Sequence, residues 1–265
     1  MDGAAVIATV IRATKDHVGL AASIFAMNFV AHFASRLLSP TYREIDGLVD
    51  AANWTVAWVS IGHATCIAGL TIPWALGHPG FITRGALDDP MPPPVALAAR
   101  LFFAYHIQDF AIVWLVLLRS TKKRERVEQL IYLVHHSLVA VGWAVFLDGH
   151  AAPLALLGMM CEVTSIFINA RVLLIKTGQG SGALYIANII FLLLAWYATR
   201  VVSYIGGGAF LMWRHAATLR AQGLVGGLTV SGWALAALLQ LQWTYRLTAA
   251  AVKAATGDAK KEKAH

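Results

Sequence analysis

Long apolar runs alternate along the chain with short polar linkers, and this pattern sets the expected fold. A helix that spans a bilayer needs about 20 mostly apolar residues, and seven runs approach or exceed that length. They cover residues 18–38, 53–76, 96–118, 128–147, 152–175, 183–205 and 222–247. The linkers between them carry Gly, Pro and charged residues that favour turns. The pattern therefore predicts an all-α, multi-pass transmembrane bundle of about seven helices.

Composition agrees with a membrane protein and argues against several other classes. The 265 residues are 58% hydrophobic and 13% charged, with a mean hydropathy of +0.63, whereas soluble domains carry roughly 25% charged residues. The net charge of +7 does not indicate nucleic-acid binding, because the basic residues lie in short loops and the tail, as in other membrane proteins. The two cysteines lack metal-ligand spacing, so no metal site is expected. The last span has no lysine for a retinal Schiff base, and no internal repeat indicates a secondary transporter.

The distribution of Lys and Arg predicts the orientation of the chain. With the N-terminus outside, the inner face carries about twice as many of these residues as the outer face, which favours a cytosolic C-terminus. Lys261 and Lys263 then stand as in the K-x-K-x-x retrieval signal of endoplasmic reticulum membrane proteins, which a receptor reads. A plain charged tail is the alternative interpretation.

Ionisable residues inside apolar spans are costly, so each of them is a functional-site hypothesis. In the first span Asn28, His32 and Arg36 form one helical stripe, which faces either neighbouring helices or a ligand. In the third span Tyr105 and Asp109 share a face. A buried aspartate needs a partner, and we expect a histidine or an arginine from a neighbouring helix.

The fourth and fifth spans hold the strongest candidates for chemistry. His135 and His136 are adjacent, so their side chains point about 100° apart and meet at one point only if a cavity wraps around the helix. Glu162 is predicted near the middle of the fifth span, where a carboxylate is either protonated or paired with a cation. Ser165 and Asn169 continue its stripe. A histidine with a carboxylate is a general-base pair, which suits acyl transfer to a hydroxyl or an amine.

Three further spans carry polar faces, and the one in the last span, Gln240 with Thr244, is weaker than the others. Ser60 and His63 share a face in the second span, and Tyr197, Arg200 and Tyr204 are expected to share one in the sixth.

Five segments together resemble the TLC domain, the membrane domain shared by the ceramide synthases and a set of smaller lipid-related proteins. They are WVSIGHA (58–64), FAYHIQDF (103–110), LVHHS (133–137), EVTSIFINAR (162–171) and the stretch 188–200. Their order and spacing carry the resemblance. It divides the chain into an N-terminal segment with the first span (1–50), a TLC domain (51–250) and a basic tail (251–265).

The resemblance implies a bundle around a central lipid-accessible cavity, residence in the endoplasmic reticulum, and a role in lipid metabolism or homeostasis. In the ceramide synthases the paired histidines are implicated in joining a fatty acyl group from acyl-CoA to a sphingoid amine. By resemblance, acyl-CoA becomes the candidate co-substrate, membrane lipids become the partners, and no bound cofactor is expected. The predicted catalytic residues are His135, His136, Glu162 and Asp109. The predicted substrate-binding residues are His63, Tyr105, Ser165, Asn169, Arg171 and Arg200.

One departure separates this chain from the ceramide synthases. They carry a His-Asp-x-x-Asp segment ahead of the glutamate, whereas Leu154, Ala155 and Gly158 occupy those positions here. The closer resemblance is therefore to the smaller TLC proteins.

Three functional hypotheses stay open on the sequence alone. The protein is a lipid acyltransferase, a non-catalytic protein that binds, senses or transfers lipid, or a receptor or cargo adaptor whose polar residues are structural. Glycines 223, 226 and 227 allow close helix contact, either within the chain or between copies in a homo-oligomer.

Overall fold

A computed structural model describes residues 3–45, 48–119 and 123–255, and all regular secondary structure in these ranges is helical. The elements are α1 (Gly3–Leu38), α2 (Pro40–Arg43), α3 (Leu48–Gly77), α4 (Pro79–Arg84), α5 (Pro93–Arg119), α6 (Lys123–Leu147), α7 (Ala152–Met160), α8 (Val163–Lys176), α9 (Ala183–Ala195), a π-helix (Trp196–Gly207), α10 (Gly208–Arg214), α11 (Ala216–Ala221) and α12 (Leu224–Ala255). The predicted all-α class is confirmed. The predicted retrieval signal at Lys261 and Lys263 lies outside these ranges.

Seven helical segments in the described ranges are long and apolar enough to cross a bilayer, so the predicted number of spans is confirmed. They are Gly3–Leu38, Asp50–Gly77, Pro93–Arg119, Gln129–Leu147, Ala152–Lys176, Ala183–Arg214 and Leu224–Val252. The protein is a multi-pass membrane protein.

Two predicted boundaries are wrong. The first helix begins at Gly3 rather than near residue 18, because residues 3–17 contain no proline and several alanines, the strongest helix formers. The sixth span continues to Arg214, and the predicted linker 206–220 is mostly helical. A β-carbon at Gly208 would overlap the Trp233 indole. Gly208, one of the three glycines that resemble a helix stop, therefore allows a close crossing with α12 instead.

The fifth span is interrupted at Glu162, which the sequence placed near the middle of one continuous helix. α7 ends at Met160 and α8 begins at Val163. The amides of Cys161, Glu162 and Thr164 bond to carbonyls three residues earlier, at 3.0–3.1 Å. This tight 3₁₀-like turn in a long helix is typical of functional or strained positions. Glu162 therefore lies in a turn between two helices rather than within one helix.

The largest buried core lies where α1, α3, α5, α6 and α7 pack together. Phe103, Ile67, Leu156 and Met159 are completely or almost completely buried in it. Ala155, one of the positions that departs from the ceramide synthases, belongs to the same core. Apolar packing thus replaces the acidic segment of those enzymes. The predicted site residues of α3 and α5 lie beside this core, near the middle of each helix.

Candidate functional site

An aspartate–histidine pair joins the third and fourth spans. Oδ2 of Asp109, on α5, lies 3.0 Å from Nε2 of His136, on α6. Their side chains are only 13% and 12% exposed. The predicted partner for Asp109, a histidine from a neighbouring helix, is confirmed. Nδ1 of His136 is buried and has no hydrogen-bond partner among the described residues, so it is free to exchange a proton with a bound ligand.

A second histidine and a second carboxylate lie on the other side of Tyr105. His63, on α3, stacks on the Tyr105 ring with centroids 4.0 Å apart and planes inclined by 12°. Its Nδ1 is 4.0 Å from Oε2 of Glu162, which is too long for a hydrogen bond. The His63 side chain is 5% exposed, and neither ring nitrogen has a hydrogen-bond partner in the described part of the chain. An unpaired buried imidazole is costly, so this ring is suited to receive a polar group from a ligand.

His106 and His135 flank His136. The ring centroids of His106 and His136 are 5.4 Å apart, and Nδ1 of His106 lies 2.8 Å from the Phe102 carbonyl oxygen. His135 and His136 are also 5.4 Å apart, but His135 turns toward the Trp243 ring, at 5.6 Å. The two adjacent imidazoles therefore diverge, as the helical geometry predicts. We define the polar cluster as His63, Tyr105, His106, Asp109, His135, His136 and Glu162.

Arg200 lies behind the cluster and is occupied by contacts within the protein. Its Nε donates to Thr164 Oγ1 at 2.7 Å, its Nη1 donates to Gln240 Oε1 at 2.8 Å, and its Nη2 donates to the Cys161 carbonyl at 3.5 Å. The guanidinium also lies over the Trp196 ring, 4.5 Å from its centroid. Arg200 thus fastens the π-helix and α12 to the turn that carries Glu162. This arrangement favours a positioning role over the predicted contact with substrate.

The remaining predicted binding residues divide into two groups. Asn169 donates from Nδ2 to Ser60 Oγ at 2.9 Å and to the Ser165 carbonyl at 2.8 Å, which joins α8 to α3 below the cluster. Arg171 is exposed and donates from Nε to the Tyr185 hydroxyl of α9 at 3.0 Å. The structure therefore brings Ser165 and Asn169 to the cluster but leaves Arg171 outside it.

The prediction that Tyr197 shares a helix face with Arg200 and Tyr204 is wrong. Arg200 is buried, whereas Tyr197 is exposed and its hydroxyl lies 2.8 Å from Thr248 Oγ1. All three residues lie in the π-helix. Its i to i+5 hydrogen bonds give wider turns than an α-helix, so the α-helical stripe does not apply there.

An apolar cavity of about 290 Å³ adjoins the cluster between α6 and α12. His135 lines it, together with Trp143, Phe146, Tyr204 and Trp233. A larger cavity, of about 470 Å³, lies elsewhere, among α1, α3 and α5. The smaller of these two cavities is the one that reaches the polar cluster, at His135.

Sequence reasoning missed the part played by His106, Thr164 and Gln240. His106 lies three residues before Asp109, and this spacing places both on one side of α5, so a signal was present. Thr164 gave no comparable signal, and Gln240 was predicted only as part of a weak polar face, because the importance of both depends on Arg200 reaching them across helices.

Comparisons with known proteins agree with this architecture. The family model described as the TLC domain matches residues 53–249, a range that includes every residue of the polar cluster. The chain therefore belongs to the TLC domain family. TLC domain-containing protein 1 of Gallus gallus is 36% identical over 95 residues, which cover 31% of this chain and 38% of that protein. The match spans less than two thirds of that relative. The identity of this relative agrees with the predicted resemblance to the smaller TLC proteins. No solved structure gives a significant match.

Proposed function

We propose that this TLC domain protein transfers a fatty acyl group to the amine or hydroxyl of a membrane lipid. The observation that carries the proposal is the pair of Asp109 and His136, 3.0 Å apart, with Nδ1 of His136 buried and unpaired. A carboxylate bonded to one ring nitrogen holds the imidazole in the tautomer that leaves the other nitrogen as a base. Acyl transfer to an amine or hydroxyl needs such a base.

The proposed reaction is balanced with acyl-CoA as donor. Nδ1 of His136 takes a proton from the acceptor amine or hydroxyl as its nitrogen or oxygen attacks the thioester carbonyl. The carbon–sulfur bond then breaks, and the imidazolium returns the proton to the leaving thiolate. Asp109 orients His136 and stabilises its transient positive charge. No metal or bound cofactor is required for this sequence of steps.

The apolar cavity beside His135 supports a fatty acyl chain as the transferred group. Its walls are aromatic and aliphatic side chains of α6 and α12, and its volume of about 290 Å³ is near the lower limit of roughly 300 Å³ for small-molecule sites. His135 marks the end of the cavity nearest the polar cluster. An acyl chain in this cavity would have its carboxyl end near His135, the residue of the polar cluster that lines the cavity.

A second candidate function is lipid binding without chemistry, in a protein that senses or transfers lipid and so regulates membrane composition. The observation that favours it is His63, which has two unpaired buried nitrogens and stacks on Tyr105. Such a ring can hold a headgroup through hydrogen bonds. The apolar residues Leu154 and Ala155, where ceramide synthases carry acidic-segment residues, also favour it. The same lipid would then bind at the polar cluster and leave unchanged.

The endoplasmic reticulum membrane is the proposed location. The support is the K-x-K-x-x arrangement of Lys261 and Lys263 and the resemblance to ceramide synthases.

Lipid mass spectrometry of the purified protein tests both candidates. The protein is incubated with acyl-CoA and a mixture of lysolipid and sphingoid acceptors, and the wild type is compared with a His135→Ala, His136→Ala double variant. His150→Ala, in the loop between α6 and α7, is the control. The acyl-transfer proposal predicts a new acylated lipid that the control produces and the double variant does not.

Other outcomes of this measurement are equally decisive. A co-purified lipid that is present in the wild type and absent from the double variant, without any product, would support lipid binding and overturn acyl transfer. A product that forms at the same rate in the double variant would remove the histidines from the mechanism.

A further inference from the structure

The larger cavity opens on the side of the bundle, away from the paired histidines. It has a volume of about 470 Å³ and lies among α1, α3 and α5, within the roughly 300–1,000 Å³ of small-molecule sites. Phe25, Phe29 and Phe33 of α1 line one wall, and Leu115 of α5 lines another. We call this cavity the side cleft. Because α1 precedes the range that the TLC family model matches, 53–249, part of the side cleft is built outside the family domain.

One end of the side cleft is cationic. Arg119 lines it at the last residue of α5, where the span ends, and is exposed. The Arg119 side chain has no ion pair or hydrogen bond with any other described residue, and the lining contains no carboxylate. His32 also lines the cleft, and Arg36 lies one helical turn beyond it on α1. Burial raises the pKa of the neighbouring Tyr42 phenol, and the charge of Arg36 partly offsets that rise.

The other end of the side cleft reaches into the bilayer. Asn28 lines it there and donates from Nδ2 to Gln108 Oε1 at 3.0 Å. Along α5, the rise from Gln108 to Arg119 is about 16 Å, close to half of the roughly 30 Å hydrocarbon thickness. The side cleft thus runs from the membrane boundary, where Arg119 lies, to about mid-depth, where Asn28 lies, and phenylalanine and aliphatic side chains line it between the two.

The walls of the side cleft are held in place without a ligand. His32 Nδ1 lies 2.6 Å from the Tyr42 hydroxyl, and Trp54 Nε1 donates to Ser35 Oγ at 3.0 Å. These bonds fix the end of α1 against α2 and α3. A preformed site loses less free energy to ordering when it binds.

We propose that the side cleft is a binding site for an anionic glycerophospholipid, with an acyl chain between the α1 phenylalanines and the phosphate on Arg119. An arginine at the membrane boundary binds a phosphate through two parallel N–H donors. Basic pockets between transmembrane helices bind anionic lipid headgroups in the same manner. The site is separate from the polar cluster, so it stands whether or not the protein is an acyltransferase.

Native mass spectrometry of the purified full-length protein tests the charged end of the site. Phosphatidic acid and phosphatidylcholine with the same acyl chains are titrated separately onto the wild type, Arg119→Gln and Arg246→Gln. Arg246 is an exposed arginine of α12 and is the matched control. We expect Arg119→Gln to weaken phosphatidic acid binding roughly tenfold. Phosphatidylcholine binding should fall less, because its phosphate carries a single negative charge next to the choline cation, and the control should equal the wild type. Equal effects of the two arginine variants would overturn the proposal.

A second variant tests the apolar part of the side cleft. Ala52 lines the cleft, and Ala52→Phe places a ring inside it, whereas Ala249→Phe adds a ring at an exposed position of α12. We expect only Ala52→Phe to lower phosphatidic acid binding. A folded Ala52→Phe protein, with an unchanged melting temperature, that binds phosphatidic acid like the wild type would contradict the proposal. The His135→Ala, His136→Ala variant should bind it normally, which separates this site from the proposed acyl-transfer site.

Discussion

At the scale of single residues, the spacing of histidines and carboxylates decides which groups are available for chemistry. Asp109 satisfies one nitrogen of His136, while His63 has a carboxylate at 4.0 Å and no hydrogen bond within the described ranges. The contact with Asp109 leaves Nδ1 of His136 available as a base. The two unpaired nitrogens of His63 are available to hydrogen-bond a ligand. The two histidines are therefore expected to differ when each is replaced.

His63→Phe is predicted to retain the fold and lose lipid binding. A phenyl ring preserves the stack on Tyr105, and it removes two buried nitrogens that have no partner. Because each unsatisfied buried polar group costs about 1–3 kcal/mol, the melting temperature should be unchanged or higher. Thermal unfolding and lipid mass spectrometry on one sample measure both effects. A large loss of stability would show that the His63 nitrogens make bonds in the folded protein.

The sequence predicted some of these residues for sound physical reasons and misplaced others. The need of a buried aspartate for a partner was enough to predict a histidine or arginine beside Asp109, and His136 is that residue. The surroundings of Glu162 and Tyr197 were predicted wrongly, because a helical wheel assumes an uninterrupted α-helix. Both residues lie where that assumption fails, at a 3₁₀-like turn and in a π-helix.

At the scale of helices, the interruption of the fifth span and the π-helix of the sixth act together. Arg200 projects from the π-helix and bonds to Thr164 and to the Cys161 carbonyl, on both sides of Glu162. Hydropathy could predict that these segments span the membrane. It could not predict their irregular winding, which depends on side-chain contacts between helices. The glycines at 206–208 were mistaken for a loop for the same reason.

Arg200→Leu is predicted to destabilise the protein by roughly 2–5 kcal/mol, because it leaves Thr164 and Gln240 without their buried donor. Arg200→Lys should recover only part of the loss, since an ammonium lacks the planar fork of a guanidinium. Denaturant titration in detergent measures the free energy of unfolding. Arg246→Gln serves as the control. Equal stability of Arg200→Leu and the control would contradict the fastening role.

Neighbouring glycines at the start of α12 provide a matched test of helix packing. A β-carbon at Gly226 would overlap the Leu219 backbone carbonyl of α11, whereas one at Gly227 would enter open space. Gly226→Ala should therefore lower the melting temperature. Gly227→Ala should leave it unchanged or raise it, because alanine is favoured over glycine in a helix by about 0.5–1 kcal/mol. The reverse order of melting temperatures would mean that α11 and α12 do not approach each other in this way.

At the scale of the whole molecule, seven spans, an odd number, predict that the chain enters and leaves the membrane bundle on opposite sides. The bias of Lys and Arg predicts that the C-terminus is the cytosolic one. An epitope tag at each end tests this orientation, through antibody labelling after selective permeabilisation of the plasma membrane. We expect labelling of the C-terminal tag alone. Labelling of the N-terminal tag alone would reverse the predicted orientation, and labelling of both would contradict the odd number of spans.

The polar cluster depends on the whole bundle, because its members come from α3, α5, α6 and the turn before α8. The order of the motifs along the chain was sufficient to predict the family. The distances between them required the folded structure, since residues far apart in sequence, such as His63 and Glu162, meet only through the packing of α3 against the fifth span.

The most direct test of the proposed chemistry is the rate of acylated-lipid formation by Asp109→Asn beside Asp50→Asn. Asparagine keeps the shape of Asp109 but cannot hold His136 in the base-competent tautomer, so the rate should fall at least about 100-fold. Asp50 is an exposed carboxylate that pairs with Lys176, and Asp50→Asn should retain the wild-type rate. Equal rates for the wild type and Asp109→Asn would contradict the account.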